Sequence, residues 1–82
     1  MEKRIGAILI LIENKESVDE LNAILSSHSD AILGRQGLPL REKGISVINL
    51  ITEGTTDQIS SLTGKLGRLK GVQVKSVLAR YR

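Results

Sequence analysis

The sequence predicts an α+β domain of order β-α-β-β-α-β. Two observations carry that expectation. Stretches of Ile, Leu and Val that are apolar on both faces of a strand alternate with two segments whose apolar residues recur at helical spacing. Each helical segment opens on a Ser or Thr followed three residues later by Glu or Gln, the spacing of a capping box.

Arg4 to Ile12, RIGAILILI, reads as the first strand. Its four isoleucines favour an extended chain over a helix. Ala7, Leu9 and Leu11 project to one side, and Ile8, Ile10 and Ile12 to the other. Ser17-Val18-Asp19-Glu20 then has the capping-box pattern, and Val18, Leu21, Ile24 and Leu25 form the apolar stripe of a helix ending near Ser27. A short second strand is expected over Asp30 to Gln36. Gly37-Leu38-Pro39-Leu40, extended by Arg41-Glu42-Lys43-Gly44, reads as a turn or crossing loop. Pro39 has no N–H, so pairing should stop or bulge there.

Ile45 to Thr52, ISVINLIT, is the third strand. Val47 and Ile51 lie on one face, and Ile48 and Leu50 on the other. Thr55 to Gln58 repeats the capping pattern ahead of a second helix with Ile59, Leu62 and Leu66 as its stripe. Gly64 and Gly67 weaken that helix by about 1 kcal/mol each relative to alanine. Gly67 is a candidate for its end, or both glycines allow close packing. Gly71 closes a turn, and Val72 to Ala79 forms the last strand, with Arg80, Tyr81 and Arg82 as a fraying tail. Right-handed crossovers in both β-α-β halves interleave these elements into a ferredoxin-like fold: one domain over residues 1–82, a four-stranded antiparallel sheet with two helices on one face.

Composition sharpens that picture. The 82 residues include no Cys, Phe or Trp and a single Tyr, so the core is aliphatic and no disulfide or thiolate metal site exists. Two helices cover one face of a sheet, yet the first and third strands, central in this topology, are apolar on both. The uncovered face is therefore expected to meet a second copy of the chain, through the open face or the sheet edges, as a homodimer or homotetramer. No apolar run is long enough to span a membrane. The charged Met1-Glu2-Lys3-Arg4 start lacks a small-residue cleavage site, which points to the cytoplasm. The net charge of +3 permits an acidic partner without requiring one.

Catalytic equipment is sparse, and no enzyme or cofactor is expected. The one histidine, His28, lies just past the first helix, where it suits the helix dipole better than a metal. The carboxylates cluster at helix starts and turns. Gly64-Lys65 does not make a phosphate loop, because Ile59 stands where its first glycine belongs and Leu66 where Ser or Thr belongs. Lys65, Arg68, Lys70 and Lys75 form a basic cluster that supports nucleic-acid binding as an alternative function, although Tyr81, in the expected fraying tail, is the one Phe, Tyr or Trp side chain that could stack on bases. Arg35, Arg41 and Asn49 are the candidates for a ligand or interface site: two guanidinium groups able to face an anion, and a lone amide in an apolar strand. A small ferredoxin-like enzyme would need Arg35, Asn49 and a carboxylate to converge.

The segments KRIGAILILIENKESVDELNAIL and GRQGLPLREKGISVINLITEGTTDQISSLTGKLGRLKGVQVKS, with the chain length, resemble the small transcriptional regulators of iron-only hydrogenase systems. The resemblance implies a fold akin to ACT domains and to the C-terminal domain of the nickel-responsive repressor. It further implies a homo-oligomeric ligand-sensing or association module without its own DNA-binding domain, with a small-molecule effector and a DNA-binding partner protein among its partners. The repressor's several His and a Cys are not matched, since His28 stands alone. The first strand-to-helix loop, where ACT domains often hold amino acids between subunits, is here Glu13-Asn14-Lys15.

Overall fold

A computed structural model describes residues 2–79. In chain order the elements are β1 (Arg4–Ile12), α1 (Val18–Ser27), β2 (Ile32–Leu40), β3 (Ile45–Gly54), α2 (Thr56–Gly67) and β4 (Val72–Leu78). The strands form one antiparallel sheet in the order β2-β3-β1-β4, with β1 and β3 central as expected. The tail Arg80-Tyr81-Arg82 lies outside the described residues.

Alternation decides which side of each strand is covered. Ile8, Ile10 and Ile12 of β1 and Ile48 and Leu50 of β3 pack against Leu21 and Leu25 of α1 and Ile59, Leu62 and Leu66 of α2. Ile8, Ile10, Leu21, Leu50, Leu62 and Leu66 are fully shielded from solvent. Thr52 shares this buried layer, and its hydroxyl has no hydrogen-bond partner among the described residues. Apolar burial of this kind, about 1.5–3 kcal/mol per large aliphatic side chain, fixes the helices to one face.

The two helix starts differ. Thr55 accepts the Gln58 N–H at 3.1 Å, while the Gln58 side chain accepts the Thr55 N–H at 2.8 Å, so the second capping box forms as expected. The first does not. Ser17 makes no capping bond to α1. It is buried, and its hydroxyl donates instead to the Lys70 carbonyl at 2.7 Å. A one-turn 3-10 segment, Lys15–Ser17, begins the helix region earlier, capped by Asn14, whose side chain accepts the Glu16 N–H at 2.9 Å. A long-range contact has taken the hydroxyl that a local motif would use.

Gly71 explains why Asn14 sits where it does. With φ at 70°, it occupies the left-handed region, and a Cβ there would lie 2.5 Å from the Asn14 Cβ. The first strand-to-helix loop thus packs directly on the turn into β4.

β2 departs most from expectation. It starts at Ile32, after a 3-10 turn over Ser29–Ala31, and continues through Pro39 to Leu40. The anticipated loop 37–40 is strand, and the turn is confined to Arg41–Lys43 and Gly44. The irregularity in pairing falls at Ile32/Gly34, not at Pro39. The phase of the ladders gives the reason. Antiparallel pairs alternate between those exchanging backbone bonds and those exchanging none. The Ala79 N–H donates to the Ile5 carbonyl and the Glu13 N–H to the Gly71 carbonyl, each at 2.7 Å. In the β1/β4 register these contacts assign the odd-numbered residues of β1 to β4, leaving its even-numbered residues to bond β3. Odd-numbered residues of β3 then bond Gly34, Gln36, Leu38 and Leu40 of β2. Arg35, Gly37 and Pro39 turn their backbone groups to the outer edge, so the missing N–H of Pro39 breaks no bond within the sheet.

Two glycines in regular elements have opposite roles. At Gly6 a Cβ would lie 2.6 Å from the Val77 carbonyl oxygen and 2.7 Å from Leu78 Cδ2, so only glycine lets β4 approach β1 this closely. At Gly64 a Cβ would meet nothing within 4 Å, and the same holds at Gly67, the last residue of α2. The close packing considered for these two is not realised. Gly6→Ala is therefore expected to destabilise the fold by about 1–3 kcal/mol through overpacking. Gly64→Ala should stabilise it by about 1 kcal/mol through helix propensity. Urea unfolding midpoints that shift in opposite directions for the two variants are the expected result.

Candidate functional site

The face of the sheet away from the helices carries cross-strand rows set by register. Leu38, Val47, Leu11 and Gln73 form one row. Gln36, Asn49, Leu9 and Lys75 form the next, and Gly34, Ile51, Ala7 and Val77 the third. Leu9 is 43% exposed and Ile51 42%, large values for aliphatic residues on central strands. Leu38 at 57% and Val77 at 69% extend the apolar surface to both edges. This is the uncovered face anticipated from the sequence.

Asn49 lies in the middle row of this face, half-buried between Gln36 and Leu9. Beside it, small Ala7 leaves a shallow depression of about 290 Å³, walled by Leu9, Asn49, Lys75, Ser76 and Val77. Lys75 therefore stands on the open face, opposite Leu9, and belongs to the apolar surface rather than to the basic end of α2. Lys65, Arg68 and Lys70 are exposed at that helix end and in the loop after it. The pairing parity of β4 was the signal that separates Lys75 from them, and it needs the register to be read.

Arg35 is on the opposite side of the sheet from Asn49. It pairs with Leu50, a residue of the covered face, and its Nη2 donates to Asn22 Oδ1 of α1 at 3.1 Å. It lies mid-strand, because β2 runs on past the expected end at Gln36 to Leu40. Arg41 is in the β2–β3 turn, exposed, at the end of the sheet. The three candidates are thus not brought together: one faces the helices, one the open face, and one a loop cleft.

That cleft has a volume of about 360 Å³ and lies between the start of the α1 region and the β2–β3 turn. Ile12, Val18, Pro39 and Ile45 give it an apolar lining, and Lys15 and Arg41 add two cations. Glu13, also at its wall, accepts a hydrogen bond from Gln73 Nε2 at 2.9 Å. An apolar floor with cations at the rim suits a small organic anion. Sequence spacing does not reveal this cleft, because it places Lys15 and Arg41 far apart in the chain.

His28 is the residue that ends α1. Its Nδ1 is 2.9 Å from the Ile24 carbonyl and 3.1 Å from Ser27 Oγ, so this ring nitrogen serves the helix end. Among the described residues, no three His, Cys, Asp or Glu side chains are grouped to hold a metal ion. No described helix is long and apolar enough to cross a membrane.

A four-stranded sheet in this order with two helices on one face defines a ferredoxin-like, ACT-like domain. The chain belongs to the TM1266-like family, described as an iron-only hydrogenase system regulator, which it matches over residues 4–76. It is similar to the uncharacterized protein TM1266 from Thermotoga maritima, with 35% identity and a TM-score of 0.92, covering 96% of this chain and 100% of that one. It is also similar to the ACT domain of the GTP pyrophosphokinase of Chlorobium tepidum, with 25% identity and a TM-score of 0.72 over 94% of this chain and 89% of that one. The C-terminal domain of the MgtC protein from Mycobacterium tuberculosis shares the fold at 12% identity, with a TM-score of 0.73 over 95% of this chain and 89% of that one. No curated protein matches the sequence.

The Arg35–Asn22 contact is exposed and is expected to contribute little to stability. Arg35→Ala and Asn22→Ala should each shift stability by less than about 0.5 kcal/mol in urea unfolding. A larger loss would assign Arg35 a structural part in holding α1 to the sheet.

Proposed function

We propose that this chain is the association and sensing module of a hydrogenase regulator in the cytoplasm. It works on transcription by self-assembly and effector binding, carries out no catalytic step, and leaves DNA contact to a partner protein. The observation that carries this reading is the apolar open face, with Leu9 and Ile51 exposed at the centre of the sheet. A second copy laid across that face, sheet on sheet, removes those side chains from water. Asn49, in the middle row, then meets the partner's polar groups and sets the alignment of the two sheets, since an unpaired buried amide is costly. The likeness to an ACT domain supports a regulatory role. The cleft lined by Lys15 and Arg41 supports a small anionic effector.

The failure of Arg35, Asn49 and a carboxylate to converge speaks against the enzymatic alternative. The position of Lys75 on the open face leaves a basic cluster of three at the α2 end, a weaker basis for binding nucleic acid.

Size-exclusion chromatography with light scattering at micromolar concentration tests the physical basis. The wild-type chain is expected to run as a dimer or tetramer. Leu9→Lys, which sets a charge at the centre of the face without touching the core, is expected to halve the mass. A folded wild-type monomer would overturn the reading. Its regulatory half predicts that loss of the gene changes hydrogenase transcript levels, and unchanged transcripts would refute it.

A further inference from the structure

The third row of the open face alternates in size. From the β2 edge to the β4 edge it runs Gly34, Ile51, Ala7 and Val77: small, large, small, large. Ile51 and Val77 are exposed and stand out from the surface. The small residues leave hollows beside them. A Cβ at Gly34 would meet nothing within 4 Å, and Ala7 lies at the depression shared with Leu9 and Asn49. A half-turn about a line along the strands, midway between β1 and β3, reverses this row upon itself. Each large side chain then falls on a small one. Ile51 meets the partner's Ala7, Val77 meets the partner's Gly34, and both contacts recur with the roles exchanged.

We propose that Ile51 and Ala7 are a knob and a hole that select a second copy of this chain and fix its alignment, with β3 of each sheet laid over β1 of the other. This rests on the reading of the open face as a self-association surface, and adds the axis, the contacts and the reason that the occupant is a second copy. In a two-fold contact, a residue that meets a second residue on the partner must itself be met by the partner's copy of that second residue. A knob and a hole at equal distances from one line satisfy that condition, whereas an unrelated partner gains nothing from it. Facing layers fill space without clash when large residues oppose small ones. The other rows agree with this axis. In the middle row Gln36 meets the partner's Lys75 at the rim, and Asn49 lies over the partner's Leu9, flanked by the partner's Asn49 and the partner's Lys75. In the first row Val47 meets the partner's Leu11. An axis running across the strands fits worse. Centred on the middle row, it sets Lys75 against the partner's Lys75. Centred on the third, it sets Ile51 on the partner's Ile51 and leaves a void where Ala7 faces the partner's Ala7. Placed between those rows, it buries Asn49 against the partner's Ile51 and Lys75 against the partner's Val77. Stacked sheets cross at about 30°, so the pair nearest the axis, Ile51 with Ala7, governs the alignment.

Exchanging the knob and the hole between chains is the discriminating experiment. Ala7→Ile fills the hole and opposes two large side chains at both symmetric contacts. It is expected to run at half the wild-type mass in light scattering at micromolar concentration. Ile51→Ala removes the knob. In an equimolar mixture of the two variants, the enlarged site of one chain faces the emptied site of the other, and the Ile51 kept by the first faces the Ala7 kept by the second. The mixture is therefore expected to recover the wild-type mass. Both positions lie on the open face, outside the core cluster, so the far-UV circular dichroism should be retained. An Ala7→Ile protein that keeps the wild-type mass, or one that stays at half mass in the mixture, overturns this proposal. If Leu9→Lys still halves the mass, the open-face reading stands without it. A folded wild-type monomer overturns both. Nuclear Overhauser effects on the wild-type protein are independent of how the variants fold. In a sample mixed from isotope-labelled and unlabelled chains, interchain effects are expected between the Ile51 and Ala7 methyl groups, and their absence overturns the proposal.

Discussion

The packing of Ile8, Ile10 and Ile12 against Leu21, Leu25, Ile59, Leu62 and Leu66 occupies both helices on one side of the sheet. Nothing remains in the described chain to cover Leu9, Leu11, Val47 and Ile51, which alternate with the core residues along the same two strands. Period-two geometry forbids burying both sets with one helical layer. The chain therefore has a complete one-sided core and an apolar surface of comparable character on the other side. A domain with no Cys, Phe or Trp has few other sources of stability, which gives that surface its energetic weight.

The same central strands organise the polar groups. Register places Asn49 and Lys75 on either side of Leu9, so the open face is apolar with a polar middle row. A wholly apolar face would associate without specifying an alignment, whereas an amide and an ammonium within it penalise alignments that leave them unpaired. The cleft near Arg41 is remote from this row, at the end of the sheet where the first strand-to-helix loop meets the β2–β3 turn. An effector there would contact the α1 region and the β2–β3 turn together. Such a contact transmits to the open face only if those elements shift relative to the sheet. The direct packing of Asn14 on Gly71 couples the first loop to β4 as well.

Where sequence reasoning missed, long-range structure had overridden a local motif. Ser17 has the capping spacing, but burial against the turn before β4 gives its hydroxyl to the Lys70 carbonyl, fifty-three residues away. Pro39 reads as a strand breaker, yet β2 is an edge and the ladder phase turns Pro39 outward, where an N–H is not needed. Arg35 and Asn49 both lie in strands, but they project to opposite faces. Thr55 and Gln58, by contrast, form their reciprocal bonds as the spacing predicts, because a capping box involves only neighbours along the chain.

By itself the sequence determined the order of elements, the aliphatic one-sided core, the central position of the two doubly apolar strands, and the family to which the chain belongs. The first three follow from periodicity, capping and composition, which are local or additive properties, and the family follows from likeness to its members along residues 4–76. Only the tertiary structure decided which side of the sheet each candidate residue occupies, that Lys15 and Arg41 share a cleft, and which backbone groups of β2 and β4 face outward. Each of those depends on strand register and ladder phase. These are relations between segments distant in the chain, and a one-residue change in either would exchange inward for outward throughout a strand.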